Sequence, residues 1–326
     1  MLRAIAIVYV VLGHVTTLPL VENYVWSFHV PLFFFVSGIL FKDKQEGFWK
    51  YLKDRFFSLM VPYYSIGLVC VLIFALLGRF AAEKLAVDGY SFDILTNLGG
   101  LLYGSAKTGH LKFNLPLWFL PCLFCVTVIY YFINRLTQGK PGRIMMAMVL
   151  FAVGGYVINY HTGIRMLPLG LETAITMTVF YGAGNLYQVR GLKDFDRPFW
   201  ILLILAGAVI SCFNGRVTYS ADRYNNILLF YPAVLCSIIG YTALARTIDH
   251  SSILEYLGRN TLPVFALHKL PVLFFQTVVP FTARLLKANN MIVILGVSLA
   301  GILLSLLAGE IIRRIAPWAI GERKRV

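Results

Sequence analysis

Apolar runs of about 17–25 residues recur along the whole chain, and each is long enough to cross a lipid bilayer as an α-helix. The sequence has 326 residues, of which 59% are hydrophobic and only 13% are charged. A soluble domain carries about twice that share of charged residues. The sequence therefore predicts an all-α, polytopic integral membrane protein embedded in the lipid bilayer.

Charged residues and Pro or Gly breaks divide the chain into about ten transmembrane helices. The predicted spans cover residues 2–21, 29–41, 58–77, 116–133, 144–160, 171–187, 198–213, 226–244, 261–279 and 291–312. The longest connection is expected to hold a partly buried helix around residues 95–103. Because no internal repeat or soluble domain stands out, residues 1–326 are predicted to form a single membrane domain.

The distribution of charge predicts the orientation of the chain. It has 29 Lys and Arg against 15 Asp and Glu, a formal net charge of +14. If the N-terminus is cytoplasmic, the connections on that side carry about twice as many Lys and Arg as the opposite connections, as cytoplasmic loops typically do. Both termini are therefore predicted to be cytoplasmic. No basic stripe or recognition motif accompanies the charge, so nucleic acid is not an expected partner.

The five cysteines indicate neither a disulfide framework nor a metal site. They are Cys70, Cys122, Cys125, Cys212 and Cys236, all in predicted helices. Cys122 and Cys125 form one C-x-x-C pair, but no second pair or histidine cluster stands at a metal-binding spacing. Buried single cysteines usually pack as small hydrophobic residues.

Arg3 and His14 are ionisable residues in the first apolar run. At about 100° per residue, the eleven steps between them end within about 20° of the start, so both side chains share one helix face. At about 1.5 Å per residue they lie about 16 Å apart, which places Arg3 near one membrane surface and His14 about halfway across. An ionisable group inside a membrane is costly, and this favours a function for the pair.

His268 is predicted to lie at a similar depth to His14. The ninth predicted span enters from the same side as the first, and His268 stands about seven residues into it. The depths of the two histidines then differ by about 6 Å. We therefore expect both imidazoles to face one polar cavity.

Several motifs resemble those of the membrane-bound acyltransferase 3 family, the bacterial carbohydrate O-acyltransferases. Arg3-x10-His14 resembles the opening motif of that family. The other similar segments are residues 28–38 (FHVPLFFFVSG), 53–55 (KDR) with 61–63 (VPY), 117–120 (LWFL), and 258–261 (GRNT) with His268. Within the family, the chain most resembles the fucose 4-O-acetylase-like acetyltransferases. One departure is that Met1 and Leu2 directly precede Arg3, where family members usually have an acidic residue and a short cytoplasmic lead.

The resemblance implies transfer of an acyl group, usually acetyl, from cytoplasmic acyl-CoA to a hydroxyl group. The implied acceptor is a cell-surface polysaccharide or its lipid-linked sugar precursor, and the implied location is the inner (plasma) membrane. Acetyl-CoA, or another acyl-CoA, then serves as co-substrate, and no cofactor is expected to stay bound.

Acyl transfer to an alcohol needs a base for the hydroxyl proton, and imidazole suits this role because it titrates near neutral pH. His14 is the candidate general base, with helix packing as the alternative role. Arg3 is expected to bind the donor or orient the active geometry, although a basic residue there also suits a membrane anchor. Arg55 could bind the phosphates of CoA or belong to an ordinary cytoplasmic charge cluster. His268 could bind substrate, orient His14, or simply fill the helix interior.

Four further residues are candidates for substrate binding. His29, at the outer end of the second predicted span, could contact the acceptor sugar or cap a turn, and Glu172 could bind a sugar hydroxyl. Trp118 could stack on a sugar or stand in the interfacial aromatic belt. Ser37 could act as a nucleophile, but small residues in membrane helices usually permit close helix packing.

Transport is the competing hypothesis, with the chain acting as a glycolipid flippase or an ion-coupled carrier without acyl transfer. Proton-coupled carriers commonly hold Asp or Glu within their spans, whereas the acidic residues here lie at predicted helix ends. No pair of broken helices repeats in two halves of the sequence. These patterns argue against a carrier and leave a flippase open.

Overall fold

The structure is a computed structural model that describes residues 1–42, 46–86, 92–109, 112–162, 166–190 and 197–322. Its α-helices, in chain order, are α1 (Leu2–Val15), α2 (Pro19–Ile39), α3 (Phe48–Arg55), α4 (Val61–Ala86), α5 (Ile94–Tyr103), α6 (Phe119–Thr137), α7 (Pro141–His161), α8 (Leu171–Arg190), α9 (Arg197–Asn214), α10 (Ile227–Thr247), α11 (Ser252–Arg259), α12 (Thr261–Leu267), α13 (Lys269–Thr277), α14 (Pro280–Lys287) and α15 (Met291–Ile315). Shorter 3₁₀ segments are Ala106–Thr108, Lys112–Trp118, Pro168–Gly170, Tyr219–Ala221 and Pro317–Ile320. A π-helical turn, Phe56–Met60, joins α3 to α4. The described residues form no β-strand, which confirms the all-α prediction, and α5 confirms the helix expected near residues 95–103.

Five helices of the described chain are long and apolar enough to cross a membrane. They are Phe48–Leu77, Lys112–Thr137, Pro141–His161, Ile227–Thr247 and Met291–Ile315. A sixth is reached if Thr261–Thr277 and Pro280–Lys287, bent by 93°, count as one span. Each of the ten predicted spans overlaps a helix, but ten membrane crossings are not confirmed, and the orientation of the termini stays a prediction. α1, for example, has only 14 residues and is too short to count by itself as a membrane-spanning helix.

The first two helices have different bounds from those predicted. α1 ends at Val15 rather than at residue 21, and α2 begins at Pro19 rather than at residue 29. Proline suits the first turn of a helix, because its fixed φ is helical and its missing N–H would have no partner there. Pro19 therefore opens α2 soon after α1 ends. His14 consequently lies in the last turn of α1, and His29 lies inside α2 rather than at its outer end.

Two glycines let α2 and α8 cross at very close range. A Cβ added at Gly38 would lie 1.9 Å from the carbonyl oxygen of Tyr181. One added at Gly184 would lie 1.9 Å from the carbonyl oxygen of Phe35. Small residues commonly permit such backbone approach between membrane helices. The crossing is therefore reciprocal, because each helix supplies the glycine that the backbone of the other requires.

In the predicted ninth span, α12 and α13 meet at His268, whose backbone is helical, so the two helices continue into each other. The following helix, α14, turns away by 93° and reaches the end of α1. There the Thr17 hydroxyl donates to Leu286 O at 3.3 Å. Gln276 Nε2 donates to His14 O at 3.1 Å and so ties the last turn of α1 to α13. These contacts place His268 beside the C-terminal end of α1.

Candidate active site

His14 and His268 lie side by side where α1 meets the junction of α12 and α13. Their ring centroids are 5.1 Å apart. His268 is fully buried, whereas His14 is partly buried. The structure thus brings together the two histidines that the sequence places at similar depth.

The His268 ring has a defined orientation. Its Nδ1 lies 3.0 Å from Val264 O and 2.9 Å from Phe265 O, so Nδ1 carries the proton and donates to these carbonyls. Nε2 is then an acceptor, and it is buried with no hydrogen-bond partner among the described residues. Buried polar atoms usually have a partner. His268 therefore holds an unused lone pair in the immediate surroundings of His14.

Trp26 lies between His14 and His29, and the sequence analysis missed it. Its ring makes edge contacts with both imidazoles, each at a centroid separation of 5.1 Å. Trp26 Nε1 donates to Gly13 O at 3.1 Å, and the Arg216 guanidinium lies 4.9 Å from the indole centroid. The signal that could have found Trp26 is its i, i+3 spacing from His29, which puts both side chains on one helix face.

A narrow cavity of about 30 Å³, the central cavity, opens beside His14. Its walls include His14, Trp26, His29, Phe33, Trp118 and Phe265. Such a volume holds about one or two water molecules. The walls are mainly aromatic and aliphatic, and His268 is not among them. The prediction of a polar cavity shared by His14 and His268 is therefore corrected: His268 contacts His14 from behind a mostly apolar wall.

Trp118 and His29 both face the central cavity. Trp118 is buried, and both of its suggested roles, stacking on a sugar and standing in the aromatic belt, stay predictions. His29 is also buried, and its Nδ1 lies 2.6 Å from Val25 O. Because that contact occupies Nδ1, Nε2 is the nitrogen that His29 can offer to a ligand.

A larger cavity of about 700 Å³, the distal cavity, lies at the end of the molecule away from Arg3. Its walls include Lys107, Lys112, Asn159, Tyr160, Asp222 and Arg223. Leu115 and Ser220 line both the distal cavity and the central cavity. These two residues therefore form the boundary between the two cavities.

A buried ion cluster supports one wall of the distal cavity. Lys107 Nζ lies 2.8 Å from Glu172 Oε1 and also pairs with Asp222. Asp222 Oδ1 accepts hydrogen bonds from the hydroxyls of Thr173, at 2.7 Å, and Tyr224, at 2.9 Å. Glu172 is fully buried and held by Lys107, which places it behind the wall rather than in contact with a ligand. Glu172 does not line the distal cavity, and the sugar-binding role suggested for it stays a prediction.

A groove of about 360 Å³, the Arg3 groove, lies at the opposite end of α1. It is formed by α1, α2 and α11. A Cβ added at Gly258 would stand 3.9 Å from Arg3 Cβ, so α11 approaches the start of α1 closely. Arg259 pairs with Glu255 at 3.7 Å, whereas Arg3 is exposed and has no ion-pair partner among the described residues.

Arg55 and Ser37 are not among the lining residues of these three cavities. Arg55 ends α3, and its guanidinium lies 5.1 Å from the centroid of the Tyr51 ring. Its Nε is buried with no hydrogen-bond partner in the described part of the chain. The Ser37 hydroxyl donates to Phe33 O at 2.8 Å within its own helix. Ser37 therefore belongs with the α2–α8 crossing rather than with the histidines.

Comparison with known proteins identifies one family. The model of the acyltransferase 3 family, described as an acyltransferase domain, matches residues 1–310 and so covers every residue of the three cavities. No curated protein and no solved structure matches the chain significantly. Among the residues that the structure describes, no group of three or more His, Cys, Asp or Glu could hold a metal ion.

Proposed function

The chain belongs to the acyltransferase 3 family, and on this premise we propose that it is a membrane O-acyltransferase of carbohydrate. It moves an acyl group, most simply acetyl, from acyl-CoA to a hydroxyl of a cell-surface polysaccharide or a lipid-linked sugar. The observation that carries this proposal is the position of His14. It lines the central cavity beside His268, between the Arg3 groove and the distal cavity.

In this proposal His14 is the general base. It takes the proton from the acceptor hydroxyl while the hydroxyl oxygen attacks the thioester carbonyl carbon. The new C–O ester bond forms and the C–S bond breaks. His14 then gives the proton to the leaving CoA thiolate, which departs as the thiol. An alcohol and a thioester are consumed, and an ester and a thiol are produced.

His268 acts as a positioning residue for His14. Because the Val264 and Phe265 carbonyls hold its Nδ1 proton, its Nε2 can only accept a hydrogen bond. The N–H of the neighbouring His14 ring is a suitable donor. Such a hydrogen bond selects one tautomer of His14 and leaves its other ring nitrogen unprotonated toward the central cavity.

The acyl donor is proposed to occupy the Arg3 groove. Arg3 supplies a cation for the phosphates of CoA, and Arg55 is a second candidate cation. Val36 lines the groove and Phe33 lines the central cavity. These residues are three positions apart on α2, so about one helical turn separates the donor groove from the cavity beside His14.

The acceptor is proposed to enter from the distal cavity. Its hydroxyl reaches His14 by passing Leu115 and Ser220, which line both cavities. Trp118 and His29 line the central cavity that this hydroxyl enters. A volume of about 700 Å³ is within the range of cavities that hold a small-molecule ligand.

The protein is proposed to lie in the inner (plasma) membrane, with its Arg3 end facing the cytoplasm. The larger share of Lys and Arg on that side supports this orientation. Acyl-CoA then arrives from the cytoplasm, and the acceptor is modified from the outer side.

Purified protein supplied with labelled acetyl-CoA and oligosaccharide acceptors tests this function directly. We expect label on the sugar and one free CoA thiol for each acetyl group transferred. Hydrolysis of acetyl-CoA without label on any sugar would contradict the proposal. Binding of acetyl-CoA without any reaction would contradict it as well.

A further inference from the structure

Among the residues that the structure describes, the distal cavity is lined by more cationic than anionic side chains. Lys107, Lys112 and Arg223 line it, against Asp222. Lys107 is already neutralised, because it pairs with both Asp222 and the buried Glu172. These three side chains together carry one net negative charge, and Lys112 and Arg223 add two positive charges, which leaves one net positive charge among the described residues of this wall.

Lys112 and Arg223 are both exposed, and neither has an ion-pair partner among the residues that the structure describes. The backbone of Arg223 is held in place, since its N–H donates to Thr218 O at 3.1 Å and its carbonyl accepts from Thr218 N–H at 2.9 Å. Lys112 begins the 3₁₀ segment Lys112–Trp118. The backbone of each cation therefore belongs to a defined local structure in the wall of the cavity.

The two cations also lie close in sequence to the two residues that line both cavities. Lys112 is three residues before Leu115, and Arg223 is three residues after Ser220. Leu115 and Ser220 line both cavities. A ligand held by the two cations therefore sits next to the wall that the distal cavity shares with the central cavity.

We propose that the distal cavity selects an acceptor sugar that bears an anionic group, either a carboxylate or a phosphate. This inference rests on the proposed function and names the class of its acceptor. The planar guanidinium of Arg223 suits both anions as a bidentate donor, and the ammonium of Lys112 adds a point charge. The exposed ring of Tyr160 in the same wall offers an apolar face to the sugar ring.

Binding of three matched probes tests this selection without any acyl donor. The probes are a disaccharide ending in glucuronic acid, the neutral disaccharide ending in glucose, and the neutral disaccharide carrying a phosphate. Protein in nanodiscs of zwitterionic lipid is expected to bind the acidic probes about fivefold more tightly than the neutral one, as two partly exposed ion pairs would give. The preference should shrink as the salt concentration rises, because exposed ion pairs are screened.

Variants assign the preference to the two cations. Arg223→Gln and Lys112→Gln should each weaken binding of the acidic probes and leave the neutral probe unchanged, and Arg223→Glu should abolish the preference. Arg284→Gln is the matched control, since Arg284 is an exposed cation of α14 at the same end of the molecule. It should leave all three affinities unchanged. The relative affinities of the carboxylate and phosphate probes show which anion is the better ligand.

Equal binding of acidic and neutral probes by the wild-type protein would overturn the inference, and so would binding of none of them. Equal losses for acidic and neutral probes in the variants would also overturn it. Transfer of acetyl without any charge preference would refute the anionic acceptor and keep the proposed function. Charge-selective binding without transfer would support the anionic ligand and refute the proposed acyl transfer.

Discussion

Replacing His14 with alanine is expected to lower acyl transfer by about 10²- to 10⁴-fold, the usual contribution of a general base, while the protein stays folded. His14 lines the central cavity, which shares Leu115 and Ser220 with the distal cavity. Without its imidazole, the base proposed to take the proton from the acceptor hydroxyl is lost. The variant also enlarges a cavity that already exists, so the structural cost should be smaller than the catalytic one.

The initial rate of label transfer from acetyl-CoA measures this effect, and thermal unfolding in detergent checks the fold. His161→Ala is a matched control, because His161 is an exposed histidine at the end of α7 and lines none of the three cavities. It should keep the wild-type rate. A fully active His14→Ala protein would remove His14 from the mechanism.

Replacing Gly38 with alanine is expected to separate α2 from α8 and destabilise the protein by about 1–3 kcal/mol or more, the range for an overpacked interior. The added methyl group would stand 1.9 Å from Tyr181 O, which is backbone and cannot rotate away. Gly184→Ala meets the backbone of Phe35 in the same way. Both variants should unfold at lower temperature and lose transfer activity, because α2 carries Trp26 and His29.

Gly154→Ala in α7 is the matched control for these helix glycines. A Cβ there has no atom within 4 Å, so the substitution meets no steric conflict. Alanine is also the better helix former, which predicts unchanged or slightly raised stability. Equal unfolding temperatures for Gly38→Ala and Gly154→Ala would show that α2 and α8 do not cross this closely.

Local patterns in the sequence predict much of the fold and part of the site. Hydrophobic runs locate the helices. The rise per residue of a helix places His14 and His268 at similar depth, so both predictions depend on regular helix geometry. The helix bounds fail where Pro19 opens α2, since a continuous apolar run hides a break between two helices. That error shifted His29 from the end of a span to its interior.

Other features depend on contacts between residues far apart in the chain. Lys107 meets Asp222 across 115 positions, and no local pattern predicts that this lysine is neutralised. The placement of Trp118 beside the central cavity likewise arises from the packing of separate helices. Apolar and aromatic residues suit the lipid, the helix interface and a cavity wall equally well, so composition does not distinguish these positions.

Transfer across a sealed bilayer tests the central claim, that donor and acceptor meet at His14 from opposite ends of the protein. Proteoliposomes would enclose an acidic disaccharide acceptor, with labelled acetyl-CoA supplied only outside. We expect labelled disaccharide in the lumen with the wild-type protein and none with His14→Ala. Label that forms only when acceptor and acetyl-CoA share one side of the membrane would contradict it.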